Sequence, residues 1–210
     1  CNLEECQNIL NDQIEKEALN ENSEKNNINY SIDTNYPIIN EIDNSKKVFA
    51  LCELEKYKVL CVGERKGSIS LYDISTFYLI FTIEGKHNKD ILHLNEINDG
   101  KLLSCGKDCR INIFQFTSYN KESKSKIDGF ILIQTITEKD GLNGRVFNGI
   151  ELNNKLLLTG DSKNAIVWKR NSNNNLYQFY YPINDISKNI YSILELNSET
   201  FVLYIQGGII

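Results

Sequence analysis

The chain has 210 residues and a formal net charge of −5 at neutral pH. Residues 1–28 carry seven acidic and two basic side chains, so the other 182 residues are neutral, with 21 charges of each sign. A neutral body has no general attraction for phosphate backbones, and we therefore expect no nucleic-acid partner. No apolar run approaches the ~20 residues that a membrane-spanning helix needs, and we therefore expect no membrane association.

Residues 1–28 are predicted to form an acidic helix followed by a disordered linker. Within residues 2–20 apolar side chains stand three or four positions apart, as on one stripe of a helix: Leu3, Cys6, Leu10, Ile14 and Ala18. An isolated helix of this length is marginal, so two interpretations remain open. Either the helix pairs with another helix in a short coiled coil, which would give self-association, or it is a frayed linker helix. Residues 20–29 are rich in Asn and Ser and form the linker.

Residues 29–210 contain a repeated pattern of short apolar segments. The first segment recurs at residues 48–54, 146–152 and 190–196. The second recurs at residues 59–63, 102–106 and 156–160, and the third at residues 69–73, 111–114 and 166–169. A fourth recurs at residues 79–83 and 132–136. The residues between them are mostly Gly, Asn and Asp, which suit tight turns, so the segments are predicted to be antiparallel strands joined by hairpins.

The spacing of the repeat predicts an all-β fold made of propeller blades. The glycines that end the second segment, Gly63, Gly106 and Gly160, are 43 and 54 residues apart. The longer interval holds 11 extra residues within residues 117–129, in a lysine-rich stretch that suits a surface loop. A period near 43 with four strands is typical of β-propellers. We predict blades at about residues 46–86, 87–140 and 141–184 and a partial blade at 185–210, and we expect this partial propeller to belong to a longer protein.

Polar residues recur in a fixed order in the predicted turns. In the second blade His87 precedes the first strand, Ser104 lies on the second strand and Asp108 lies in the following turn, six residues before Phe114. The third blade repeats part of this order and adds a tryptophan on its third strand: Thr159, Asp161 and Trp168. Over about residues 46–210 the pattern resembles that of WD-repeat proteins.

In the WD-repeat family a His, a Ser or Thr, an Asp and a Trp of one blade form a hydrogen-bonded network. The resemblance implies this structural role for the polar residues of the two blades: His87, Ser104, Asp108, Thr159, Asp161 and Trp168. The sequence also departs from the family pattern, because no blade has an intact Trp-Asp pair and only one has the leading His.

The sequence contains few candidates for catalysis. It has two histidines and no nucleophile elbow, phosphate-binding loop or zinc-protease motif. Some propellers are glycosidases, and the turn at residues 159–161 is similar to their repeats, so an enzyme completed by further blades is an alternative. A glutamate recurs late on the first strand of each blade, which predicts repeated solvent-facing positions: Glu53, Glu96, Glu151 and Glu195.

The six cysteines do not form a disulfide framework or a metal site by their spacing. Four of them fall in or beside predicted strands, where a free thiol acts as a small buried apolar side chain. We therefore expect a reducing compartment, the cytoplasm or alternatively the nucleus, and no cofactor. Cys1 and Cys6 leave open a zinc module upstream of this chain.

WD-repeat proteins are typically scaffolds, and the resemblance implies a non-catalytic scaffold or adaptor that binds protein partners. A substrate-recognition part of a ubiquitin-ligase-like adaptor is a narrower alternative. Contacts are expected at the loops leading into the first strands and at the turns between the second and third strands. The basic residues there would form a surface for an acidic peptide: Arg65, Lys66, Lys86, Lys89, Lys107, Arg110 and Lys163.

Overall fold

The structure is a computed structural model, and it describes residues 46–118, 127–183, 186–198 and 200–210. The predicted N-terminal helix, its coiled-coil self-association, the linker and the pair Cys1 and Cys6 lie outside the described residues. The described residues form four separate antiparallel sheets, each with its strands in sequence order.

The first two sheets have four strands each. The first contains β1 (Val48–Leu54), β2 (Val59–Glu64), β3 (Ile69–Asp73) and β4 (Leu79–Ile83). The second contains β5 (Ile91–Ile97), β6 (Lys101–Gly106), β7 (Ile111–Ser118) and β8 (Ile127–Ile136).

The third sheet also has four strands, and the fourth has three. The third contains β9 (Asn148–Glu151), β10 (Leu157–Gly160), β11 (Ala165–Arg170) and β12 (Tyr177–Ile183). The fourth contains β13 (Ile190–Asn197), β14 (Thr200–Ile205) and β15 (Gly208–Ile209). Short 3-10 turns lie between strands or after them, at Arg65–Gly67, Asn98–Gly100 and Glu138–Asp140.

The predicted all-β fold with repeated antiparallel blades is confirmed. Residues 59–63, 102–106 and 156–160 fall on β2, β6 and β10 or directly beside them, and these are the second strands of three different sheets. The tight turns use left-handed backbone at the expected residue types; between β5 and β6, Asp99 has a φ of 66° and Gly100 a φ of 72°. Part of the inserted segment extends strands instead of forming a loop, because β7 continues to Ser118 and β8 starts at Ile127.

The apolar core lies between successive sheets. Ile91 of the second blade packs onto Gly63 of the first, where an added Cβ would stand 2.6 Å from its Cγ2 atom. Ile190 of the fourth blade fits Gly160 of the third in the same way, at 2.5 Å. The first strands of successive sheets are neighbours, as the inner strands of a propeller are. Each blade therefore buries its face against the next one, which is how a repeat protein gains stability.

Three of the four recurring glutamates hold neighbouring blades together, and for these three the prediction that they simply face solvent is wrong. Glu53 does face solvent, with 52% of its side chain exposed. Glu96 accepts a hydrogen bond from the Glu55 amide of the preceding blade at 2.9 Å. Glu151 accepts one from the Asn98 amide at 2.6 Å. Glu195 of the fourth blade accepts one from the Asn153 amide of the third blade at 3.1 Å. The residue recurs because each first strand ends beside the turn of the blade before it.

In the part of the chain that the structure describes, no helix has the length and apolar character needed to span a membrane.

Candidate functional site

A buried hydrogen-bonded chain ties the loop before β5 to the turn after β6. His87 Nδ1 lies 2.9 Å from Asp108 Oδ1, and His87 Nε2 lies 2.8 Å from Ser104 Oγ. The Asn88 amide donates to Asp108 Oδ2 at 3.0 Å. Gly106 leaves the room for this arrangement, since a Cβ there would stand 2.5 Å from both His87 Nδ1 and Asp108 Oδ1. The structure thus brings together three residues that the sequence analysis assigned to one network.

The hydrogen bonds among His87, Asn88 and Asp108 favour the charged form of the Asp108 carboxyl. Burial acts to raise the pKa of the Asp108 carboxyl, but hydrogen bonds from His87 and from the Asn88 amide outweigh burial and hold the pKa below its usual value. The carboxylate is nearly inaccessible, as is the His87 ring. A group so enclosed orders a loop and has no room to act on a ligand.

The third blade divides the corresponding residues into two separate contacts. Trp168 Nε1 donates to Thr159 Oγ1 at 2.8 Å. Asp161 accepts instead from backbone amides, those of Lys163 at 2.7 Å, Asn164 at 2.8 Å and Asn143 at 2.8 Å. In both blades, therefore, the aspartate of the turn accepts a hydrogen bond from a backbone amide of the preceding loop, from Asn88 in the second blade and from Asn143 in the third. The third blade does so without a histidine.

The first blade has a different buried polar group at the corresponding end of its second strand. Glu64 accepts from Ser68 Oγ at 2.6 Å and from Ser70 Oγ at 2.7 Å. Lys46 Nζ lies 2.9 Å from the same carboxylate, and this hydrogen bond raises the pKa of Lys46. Only 1% of the Glu64 side chain is exposed. Sequence analysis missed this cluster, although a glutamate followed by serines four and six residues later was its visible signal.

Lys46 and Ser68 of this cluster also line an open cleft of about 600 Å³, which we call the basic cleft. Its lining includes four basic side chains from two segments: Lys46, Lys47, Arg65 and Lys66. Ser68, Glu84, Gly85 and His87 complete it. The Arg65 amide donates to the Lys47 carbonyl at 2.8 Å, which joins the segment before β1 to the turn after β2. The cleft thus lies where turns and loops of the first two blades meet.

The predicted basic surface is only partly assembled into this cleft. Arg65 and Lys66 line it, whereas Lys86, Lys89, Lys107, Arg110 and Lys163 do not belong to its lining. Lys107 Nζ pairs with Asp90 Oδ2 at 2.9 Å, and Arg110 Nε lies 4.0 Å from the buried Asp108 carboxylate. Lys89 and Lys163 are exposed on separate loops. Sequence analysis missed Lys46 and Lys47, because they precede the first recognisable strand.

The second histidine is part of the packing between blades. His93 lies on β5, and its Nε2 atom is 3.1 Å from the Gly149 carbonyl of the third blade. Burial lowers the pKa of His93 to about 4, although this hydrogen bond acts in the opposite direction. Among the described residues there is no group of three or more His, Cys, Asp and Glu side chains that could hold a metal ion.

No protein-family model and no curated protein matches the sequence. The structure is similar to Chaetomium thermophilum Sqt1 bound to the N-terminus of ribosomal protein L10, with a TM-score of 0.60 and 16% identity over 75% of this chain and 43% of that one. It is also similar to a chain of the mitotic checkpoint complex, with a TM-score of 0.59 and 20% identity over 80% of this chain and 47% of that one.

A third similar structure is the WD40 β-propeller domain of Doa1, with a TM-score of 0.53 and 14% identity over 73% of this chain and 46% of that one. The chain therefore spans less than half the length of each of these three structures. Identities of this size show a shared fold and nothing finer. Together with the four sheets in sequence order, they show that the chain has the fold of the WD40 β-propellers.

Proposed function

We propose that this chain is a non-catalytic scaffold or adaptor that binds an acidic segment of a protein partner in the basic cleft. The observation that carries the proposal is the convergence of Lys46, Lys47, Arg65 and Lys66 on one cleft. Residues 29–210 are close to neutral as a whole, so this local excess of positive charge is a departure from the rest of the surface. Such a patch attracts and orients a partner of opposite charge.

Proteins of similar structure support a binding role. The Sqt1 structure holds the N-terminus of ribosomal protein L10, and another similar chain is part of the mitotic checkpoint complex. Both are engaged with other proteins, and a polypeptide partner is the kind of ligand that we assign to this chain. These proteins do not identify the partner of this chain, because one fold can carry many binding functions and the side chains on its surface select the partner.

The structural use of the acidic residues supports a non-catalytic role. A glycosidase needs two carboxylates that face the same open space. Here Glu96, Glu151 and Glu195 accept hydrogen bonds from backbone amides of the preceding blades. Asp161, in the turn that is similar to the glycosidase repeat, is buried and accepts three amides. These carboxylates stabilise the fold and are engaged by backbone amides, which argues against their use as a catalytic pair.

The cysteines support the proposed reducing compartment. In the described residues Cys52, Cys61, Cys105 and Cys109 are all free thiols. Burial raises the pKa of Cys52 to about 12 and that of Cys109 to about 11, so neither is a reactive thiolate at neutral pH.

Charge reversal in the cleft tests the proposal. The double variant Arg65→Glu with Lys66→Glu should lose partner proteins that the unchanged full chain captures, with the loss measured by quantitative mass spectrometry. A matched control reverses two exposed lysines outside the cleft, Lys89→Glu with Lys163→Glu, and should keep them. Equal capture by the two variants would remove the cleft from the proposed function, provided that both show the circular dichroism of the unchanged chain.

A further inference from the structure

The cations of the basic cleft differ in how far they are neutralised. Lys46 is paired with the buried Glu64 carboxylate at 2.9 Å, so its charge is offset within the protein. Within the residues that the structure describes, the side chains of Lys47, Arg65 and Lys66 form no ion pair. Three exposed cations therefore line one cleft without an ion pair to a described residue, although Arg65 is near enough to Asp90 to help lower the pKa of its carboxyl.

Neighbouring acidic groups limit the size of the anion that fits. Glu84 lines the cleft, and Asp90 lies next to it, because its carboxylate accepts from the Lys66 amide at 3.1 Å and from Lys107 at 2.9 Å. These carboxylates oppose a long polyanion that extends beyond the cleft. A volume of about 600 Å³ holds one side chain and its flanking backbone.

The number of unpaired cations selects among small anions. A single carboxylate has two oxygens and one charge, so it can engage one guanidinium fork and leaves the remaining cations unsatisfied. A phosphate monoester has three accepting oxygens and a charge of about −1.5 to −2. The guanidinium of Arg65 can bind two of these oxygens side by side, while Lys47 and Lys66 act as mobile point charges. Three cations thus suit one phosphate.

We propose that the basic cleft binds the phosphate of a phosphorylated serine or threonine in the partner. This inference rests on the proposed function and adds to it, because it makes binding depend on modification of the partner. An unmodified segment or a glutamate in the same place would then bind more weakly. The partner of this scaffold is accordingly one whose phosphorylation switches the interaction on.

Three fluorescent heptapeptides of the sequence Gly-Ser-Gly-X-Gly-Ser-Gly serve as probes, with phosphoserine, glutamate or serine at X. Their affinities for the full chain are measured by fluorescence anisotropy at one fixed salt concentration. We expect the phosphoserine peptide to bind at least about tenfold more tightly than the glutamate peptide. Equal affinities for these two peptides would overturn the inference.

Variants of the cleft assign the preference to particular side chains. Arg65→Gln should remove most of the preference for phosphoserine, and Arg65→Lys, which keeps the charge but loses the planar fork, should remove part of it. Lys47→Gln and Lys66→Gln should each reduce it severalfold. The matched control Lys89→Gln removes an exposed charge outside the cleft and should leave the preference unchanged. An equal loss in this control would show general electrostatic attraction and contradict a site.

The two proposals can fail separately. If the phosphoserine peptide shows no preference but the Arg65→Glu and Lys66→Glu double variant still loses captured partners, the scaffold function stands and the phosphate site is wrong. If the control reversal of Lys89 and Lys163 loses the same partners, the proposed use of the cleft is wrong as well. Unchanged Trp168 fluorescence shows that the third blade remains folded in each variant, and an unchanged circular dichroism spectrum shows the same for the other blades.

Discussion

Replacement of Glu151 should reveal how much the contact between the second and third blades contributes to stability. Its carboxylate accepts from the amide and the side chain of Asn98, at 2.6 and 2.8 Å, and from the Tyr177 hydroxyl at 2.8 Å. Arg170 lies 3.3 Å away and forms an ion pair. The Glu151→Ala variant therefore leaves several donors of two blades without an acceptor at once.

The expected loss of stability follows from burial. Only 5% of the Glu151 side chain is exposed, so water cannot easily replace the missing carboxylate. Removal of one partner from a buried ion pair costs about 3–5 kcal/mol, much of it for the charge that is left behind. Arg170 is partly exposed, which puts the expected destabilisation near the lower end, at about 3 kcal/mol.

The chain supplies its own control, because Glu195 occupies the same place in the next blade. Glu195 accepts from the Asn153 amide at 3.1 Å, and this contact is exposed to solvent. The Glu195→Ala variant should therefore cost only about 0.5–1.5 kcal/mol, the net value of one ordinary hydrogen bond. The two variants remove the same side chain from equivalent positions and differ in burial.

Urea denaturation followed by tryptophan fluorescence measures both losses. Trp168 is the single tryptophan of the chain and is fully buried on β11, in the same sheet as Glu151. Two protein concentrations should be compared, since association would make the midpoint depend on concentration. If Glu151→Ala loses no more stability than Glu195→Ala, the assignment of a buried contact between blades is refuted.

Three further predictions concern buried groups. His93 has a pKa of about 4 in the folded chain and 6.5 in the unfolded chain, so the free energy of unfolding should rise by about 3 kcal/mol from pH 4 to pH 6.5. Urea midpoints measured across this pH range should rise less steeply for His93→Gln than for the unchanged chain. The pair Trp168 and Thr159 should show a coupling of about 1 kcal/mol in a double-mutant cycle of Trp168→Phe and Thr159→Val, and additive losses would argue against their hydrogen bond. Burial raises the pKa of Cys61 and of Cys105, so a thiol reagent followed by mass spectrometry should label them only after unfolding, and rapid labelling of the folded chain would contradict their burial.

The strands and their order could be predicted because they depend on local chemistry. Alternating apolar residues separated by Gly, Asn and Asp specify hairpins within about forty residues, and the period then specifies repeated blades. The hydrogen-bonded residues of the second blade were identified through the resemblance to WD-repeat proteins, whose pattern His87, Ser104 and Asp108 match in type and order. The same resemblance implied the contact between Trp168 and Thr159.

The basic cleft could not be predicted in full, because it is made of segments distant along the chain. Arg65 and Lys66 were recognised from their position in a turn between the second and third strands. Lys47 lies before the first strand, where the sequence shows no repeated pattern that would mark it as part of the surface. The sequence also suggested that Lys107 shares this surface, whereas packing places it against Asp90. Which cations remain unpaired depends on loop contacts between blades.

By itself the sequence determined that this protein is a series of four-stranded units, since each unit is specified by its own residues and turns. Only the tertiary structure decided how deeply equivalent residues of different units are buried. Glu151 and Glu195 each precede a leucine at the end of a first strand, yet one is enclosed by Tyr177 and Arg170 and the other is open to water. The cause is the folded third blade, whose third and fourth strands carry Arg170 and Tyr177 to Glu151 and so set the burial, and therefore the energy, of its carboxylate.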